Sequence, residues 1–364
     1  MKHIDEFRNE RYIGVLVSQI NEVSRKIKKE VKLMEVCGTH TMAIARSGLK
    51  KTLPENVRLI SGPGCPVCVS PNSYIDTAIS ISELKDIRVA TFGDMYRVPS
   101  GNRSLEKQAA DGAKIDIVYS PLDALKIAEE KPCQEIVFLG VGFETTAPLT
   151  ARVIQYAKNK GIKNFRVLSG HRLIPPAMQT LVKDLNHEIH GFICPGHVSA
   201  IIGSVPYRIF PEKYGIPCVI SGFEVIDILH SILMLLEMIS GEKKTSVVIQ
   251  YKRCVEEKGN PEALKIMREI FDVVDAEWRG IGLIESSGLA IGKRYRELDA
   301  TYIFSTKPLY RPDPKGCLCG EILKGIKKPS ECKLFGRLCT PEHPVGPCMV
   351  SSEGTCAAYY SYER

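Results

Sequence analysis

The sequence predicts an α/β fold: two similar parallel-sheet α/β units followed by a smaller, cysteine-rich C-terminal unit. Three observations carry that prediction. Eight short β-rich runs alternate with helical stretches, the pattern of parallel sheets flanked by helices. Nearly every run ends in a Gly-containing loop bearing a polar or sulfur residue, and open α/β sheets bind ligands beyond those strand ends. Finally, six of the 13 cysteines, Cys317, Cys319, Cys332, Cys339, Cys348 and Cys356, crowd into the tail.

The chain opens with Ile13, Val15, Leu16, Ile20, Val23 and Ile27 at helical spacing, which predicts a helix lying over a sheet. The runs at 31–36, 57–61, 88–93 and 116–120 form a first set, and those at 135–140, 166–170, 191–196 and 218–222 a second. The expected units are therefore 1–130, 131–245 and 246–364, with the CGTHT and CPVC loops in the first and the GFETT and PGHV loops in the second. In the third, SVVIQY reads as a strand and Pro261–Trp278 as a helix. From Arg311 onward Pro, Gly and Cys replace periodic apolar residues. Such a segment does not hold a core unaided, so a bound metal or cluster is expected to organise it.

Composition narrows the class. At 364 residues, with 44% apolar and 25% charged content, the chain suits a soluble protein of two or three domains. The N-terminus has no apolar signal region. The run Val225–Ile239 is too short to span a bilayer and carries Asp227, His230 and Glu237. A cytoplasmic protein is expected, with no membrane partner. The net charge of +7 is scattered apart from Lys324, Lys327, Lys328, Lys333 and Arg337. That concentration reads as a solvated face or as a docking surface for an acidic protein, and no nucleic-acid motif accompanies it.

Structural disulfides are disfavoured in the cytosol, so clustered cysteines point to metal, iron–sulfur or redox chemistry. The tail spacing, C-x-C-x12-C-x6-C-x8-C-x7-C, lacks the paired knuckles of zinc sites. Four thiolates from separate loops suit a [4Fe–4S] cluster, and two left over suit a redox disulfide; zinc and unligated thiols stay open. In GPGCPVC, Cys65 and Cys68 lie close enough to meet across one turn. Ser70 and Pro71 read as N-cap and first residue of the next helix, whose positive end favours thiolate. A redox dithiol, a metal-binding pair and a structural pair all remain. Cys37 of CGTHT also precedes a helix, with His40 three residues on; metal ligand, base and loop hydrogen bond are all open to that histidine. In GFETT, Thr145 or Thr146 could cap a helix while an ionised Glu144 binds a cation or a partner's lysine. His171 and His197 sit at comparable strand ends, as ligands or as loop hydrogen bonders. Cys133, Cys218 and Cys254 read as packing residues, and Cys194 is left open. On these residues alone, a free-standing thiol–disulfide oxidoreductase and a zinc-stabilised adaptor both stay in play.

CGTHT, GPGCPVC, GFETT, PGHV and the six-cysteine tail ending CMVSSEGTCAAYY occur in one order across nearly the whole chain. This combination resembles the HypD family of hydrogenase formation proteins. The resemblance implies an accessory role in [NiFe] hydrogenase maturation: assembly of the Fe(CN)2CO group in complex with HypC, with HypE as cyanide donor and an electron-donor protein. It implies a [4Fe–4S] cluster held by Cys317, Cys332, Cys339 and Cys356, with Cys319 and Cys348 as the redox pair. Cys37 becomes the thiolate holding the transient iron, with His40 beside it. Cys65 and Cys68 either relay electrons or help hold that iron. Some members carry a second histidine where this chain has Met42, so no role for such a histidine applies.

Overall fold

A computed structural model describes residues 10–184, 188–305 and 312–363. Residues 185–187 of the run PPAMQTLVKDLNHEI, and Arg311, lie outside these. Eleven strands are present among the described residues: β1 Val31–Glu35, β2 Val57–Ser61, β3 Ile87–Thr91, β4 Lys114–Ile117, β5 Glu135–Gly142, β6 Phe165–His171, β7 Gly191–Pro195, β8 Cys218–Ser221, β9 Val247–Ile249, β10 Phe271–Trp278 and β11 Gly282–Ile291. Each of the eight expected runs overlaps a strand, although β4 begins two residues before the run at 116–120 and ends at Ile117, and SVVIQY supplies the ninth.

Their grouping differs from the expected boundaries. The five-stranded parallel sheet has the order β2-β1-β7-β8-β9, and the four-stranded parallel sheet β4-β3-β5-β6. The middle of the chain is thus one sheet inserted between the two halves of the other, and a boundary at 130 runs through the inserted sheet. Local periodicity cannot reveal this, because both sheets use the same apolar runs. Parallel pairing of β1 with β7, Leu33 opposite Gly191, joins segments that a local reading assigns to different units.

Period-two alternation explains how the sheets stack. On the five-stranded sheet, Leu33, Ile193 and Val219 face the helices Glu10–Ser24 and Val225–Ile239. Met34, Phe192, Cys194 and Ile220 face the other way, into a central core. The inserted sheet sends Val89, Val137, Leu139 and Leu168 into that same core. Its opposite face, with Phe138, Phe165 and Val167, packs on the helix Ala147–Lys160. One core therefore lies between two sheets, and the sulfurs of Cys65, Cys68, Cys319 and Cys348 belong to it.

The expected helix over Pro261–Trp278 is a helix only to Ile270, after which the chain becomes strand β10. The alternating, β-branched stretch DVVDAEW explains the switch. β10 and β11 form an antiparallel hairpin whose β11 lies along the edge of the inserted sheet, with Ser169 Oγ donating to Leu289 O at 2.6 Å. The tail folds back over this assembly and ends in the helix Thr355–Tyr362. Among the described residues, no helix is long and apolar enough to cross a membrane.

Candidate thiol and metal site

In the five-stranded sheet the chain leaves β1 toward one side and returns at β7 to build the other. The crevice between them is its topological switch point, where such sheets place ligands. Cys37 follows β1 and His197 follows β7. Cys37 is the N-cap of the helix Gly38–Ser47, with extended backbone at φ −150° and ψ 124°. The CPVC loop lies directly on it: a Cβ on Gly64 would fall 2.2 Å from Cys37 N, and Gly38 N donates to Gly64 O at 2.9 Å. Only glycine allows that approach.

Glu35, two residues earlier at the end of β1, is buried. Its carboxylate accepts from Cys37 N at 3.2 Å and from Thr41 Oγ1 at 2.6 Å, capping the helix in place of a Cys37 side-chain bond. Burial raises its pKa to about 7 despite those bonds. The Cys37 thiol is pushed up to about 12, first by burial and further by Glu353 and Glu35. Backbone N–H groups of His40 and Thr39 pull the other way and do not prevail. As a free thiol Cys37 keeps its proton, and a bound cation would be needed to displace it.

His40 is fully buried, and desolvation lowers its pKa to about 4. The neutral ring donates from Nε2 to Gly222 O at 2.8 Å, which leaves Nδ1 as a bare acceptor. That atom has no hydrogen-bond partner. His40 and His197, far apart in the chain, both stack against Phe223, at 4.7 and 4.0 Å between centroids. The tail closes the group: Thr39 Oγ1 donates to Glu353 Oε1 at 2.8 Å.

Cys65 and Cys68 form a disulfide, with Cα atoms 5.2 Å apart. Ser70 does not cap the following helix as expected. Pro71 occupies the N-cap of Asn72–Ser82, and Ser70 Oγ donates to Pro66 O at 3.0 Å, tightening the cysteine turn instead. Cys68 Sγ lies 3.9 Å from Pro347 O, one residue before Cys348, and the Cys348 and Cys319 sulfurs are 3.2 Å apart. All six tail cysteines line a single small cavity, together with Ile322, Leu334, Phe335 and Met349. Among the described residues no three His, Cys, Asp or Glu side chains converge on one ion-sized point; the thiols are spread over the cavity wall. Soft donors distributed around a dry apolar space fit a multi-iron cluster.

Arg279 was not visible as a candidate. It is buried, and Nη1 has no hydrogen-bond partner, while Nε is 2.9 Å from Asp313. Its backbone N–H donates to Val69 O at 2.9 Å, and Gly280 meets Gly320 backbone to backbone. The hairpin turn therefore touches both thiol loops, one residue from Cys68 and one from Cys319. Hydrogen bonding with Cys317 and Cys348, then the Arg279 charge, holds the Cys319 thiol well below its ordinary range.

Two candidates lie elsewhere. Glu144, expected to be an ionised cation binder, is buried after β5 in the inserted sheet. It accepts from Ile174 N at 3.0 Å, so it caps the helix Ile174–Asp184, and burial raises its pKa to about 7. His171 is buried at the end of β6, 3.5 Å from Thr150 Oγ1, and burial lowers it to about 3. Thr146 is an N-cap without a side-chain cap bond. Cys218 packs in the core as expected and Cys194 is buried too, whereas Cys133 and Cys254 are exposed.

The sequence model of HypD, described as "Hydrogenase formation hypA family", matches residues 11–363. The chain belongs to the HypD family. It is 46% identical to the hydrogenase maturation factor HypD2 of Bradyrhizobium diazoefficiens, over 100% of this chain and 97% of that protein. Identity to the hydrogenase maturation factor HypD of Escherichia coli K12 is 41%, over 100% and 99%. A putative hydrogenase expression/formation protein of Methanocaldococcus jannaschii is 43% identical over 96% of each chain. The HypD family thus extends over both sheets and the cysteine tail.

Proposed function

We propose that this HypD-family chain is a [NiFe] hydrogenase maturation factor, a redox-active scaffold for assembling the Fe(CN)2CO group together with HypC and HypE. The observation that supports this most is the order of sulfurs through the core. Gly64 rests on Cys37, Cys65 bonds Cys68, Cys68 reaches the carbonyl next to Cys348, and Cys348 meets Cys319 on the wall of the six-cysteine cavity.

Each residue then has a task. Cys317, Cys332, Cys339 and Cys356 would hold a [4Fe–4S] cluster, which supplies one-electron chemistry when bound. Cys319 and Cys348 form a dithiol beside it, and Cys65 and Cys68, joined as a disulfide, a second redox pair beside Cys37. Cys37 offers a soft thiolate to the low-spin iron cargo, in a pocket that burial and Phe223 keep dry. His40, neutral and with Nδ1 unspent, can accept a hydrogen bond from a ligand or donate its lone pair to the iron. Glu35 holds both ends of the CGTHT turn, at Cys37 N and Thr41 Oγ1, and Glu353 holds its middle at Thr39.

Infrared spectroscopy of the chain co-purified anaerobically with HypC tests this reading. CN and CO stretches are expected from the wild type, and their absence from material competent in maturation overturns the scaffold role. A colourless protein holding zinc without labile sulfide overturns the cluster.

A further inference from the structure

We infer that the face formed by Lys324–Leu338 is the docking surface for an acidic, one-electron carrier protein. The inference rests on the cluster reading above and adds where electrons are delivered. Between Lys324 and Arg337 the chain carries five cations and a single carboxylate, Glu331, in a protein whose whole net charge is +7. Glu331 is spent on Lys327 at 3.0 Å. The same segment forms part of the cavity wall through Cys332, Leu334, Phe335 and Cys339.

The chain therefore presents alternating residues to the two sides of one thin layer. Cys332 and Cys339 are 9% and 7% exposed. Their immediate neighbours, Lys333 and Leu338, are exposed, Leu338 to 69%, and Ile326 to 52%. Exposed apolar residues among cations make a small contact surface with a charged rim, the composition of weak, transient redox interfaces. The cations would steer an acidic partner and orient it, giving rate and specificity more than affinity. At Cys332 and Cys339, one residue separates solvent from the cavity.

Two one-electron carriers are consumed for each disulfide reduced. The sulfur–sulfur bond takes up two electrons and two protons and opens to two thiols, and both carriers leave oxidised.

The test uses the full chain, purified anaerobically, and a plant-type [2Fe–2S] ferredoxin as the acidic probe. Binding of its redox-inert gallium form is followed by calorimetry at low ionic strength, and disulfide reduction by its reduced form is followed by thiol release. Reversing charge with Lys333→Glu and Arg337→Glu together is expected to slow reduction by about 10-fold or more and to weaken gallium-ferredoxin binding in parallel. Lys160→Glu with Lys163→Glu, the same charge change on the inserted sheet, should leave both within about twofold. Equal losses in the two double variants overturn the docking face, as does absence of wild-type binding at low salt or tighter binding of single-stranded DNA than of ferredoxin. Dithionite bleaching of the visible absorbance reports the cluster separately. If that absorbance is missing, the cluster reading fails while gallium-ferredoxin binding still decides the docking face.

Discussion

At the switch point of the five-stranded sheet, Cys37 and His197 leave neighbouring strands on loops that meet Gly64, Phe223 and Glu353. At that of the four-stranded sheet, between β3 and β5, the loop after β5 turns inward and Glu144 disappears beneath the helix Ile174–Asp184. Both crevices are of the kind that binds ligands in open α/β sheets. The first is lined by groups with unspent bonding capacity, a thiol and a bare imidazole nitrogen, and the tail reaches across to it. In the second, Glu144 Oε1 caps a helix, while Oε2 is buried without a hydrogen-bond partner. Topology places a crevice; the kind of donor left in it, a soft thiol in the first and a carboxyl in the second, decides what it can hold.

Substitution at the two crevices breaks or sharpens this contrast. The largest difference is expected in hydrogenase maturation in cells: Cys37→Ala falls to background, whereas Glu144→Gln keeps most of the activity, because a glutamine oxygen can still accept from Ile174 N. Maturation by Cys37→Ala at the wild-type level would remove the assembly role from the first crevice. Within the tail, Cys332→Ser should abolish cluster absorbance and Cys319→Ser should leave it largely intact. The reverse result would exchange ligand and redox pair.

Two smaller effects concern stability. A Cβ on Gly64 strikes the Cys37 backbone, while one on Gly142 strikes the Thr146 side chain, whose Oγ1 can rotate away and whose Cβ needs only a small shift. Denaturant unfolding is expected to show a loss of about 3 kcal/mol for Gly64→Ala and about 1 kcal/mol for Gly142→Ala. The last effect depends on pH. The folded-state pKa of Glu144 is raised from 4.5 to about 7, so between those values the native state binds more protons than the unfolded chain. Its favourable contribution is complete below pH ~4.5 and is lost as pH rises through about 7. Glu144→Gln should therefore match the wild type in thermal unfolding at pH 5 and exceed it at pH 8, by at most about 3 kcal/mol. His40 and His171, lowered to about 4 and about 3, act in the opposite sense: their contribution is present above pH ~6.5 and lost as pH falls through those values.

Much of this was legible in the sequence. The nine strands of the two parallel sheets were readable because short apolar runs bounded by glycine are local signals, and CGTHT and CPVC could be placed at strand ends for the same reason. The hairpin β10–β11 was not, its first strand being read as the end of a helix. Which strands pair was not readable: β1 and β7 carry no mark of each other. Phe223 and Glu353 escaped notice because their importance comes from neighbours distant in the chain. Glu35 left a trace, a carboxylate inside the buried run VKLMEV just before Cys37. Arg279 left none, since a single arginine in a Gly-rich turn reads as solvated. The difference between Glu144 and Cys37 also needed coordinates, because both are buried and only Glu144 is committed to capping a helix through its side chain.

The insertion of one sheet into the other has a consequence in time. During synthesis β1 and β2 emerge first, yet β1 cannot gain its second neighbour until β7 has been made. At ribosomal rates of about 5–20 residues per second, that wait is roughly 10–30 s. Glu353, which closes over Thr39, arrives later still. The loop bearing Cys37 is thus among the first segments made and among the last completed. A truncated or stalled chain has the cysteine without the pocket, so the nascent protein holds no finished Cys37 pocket until its tail has folded back.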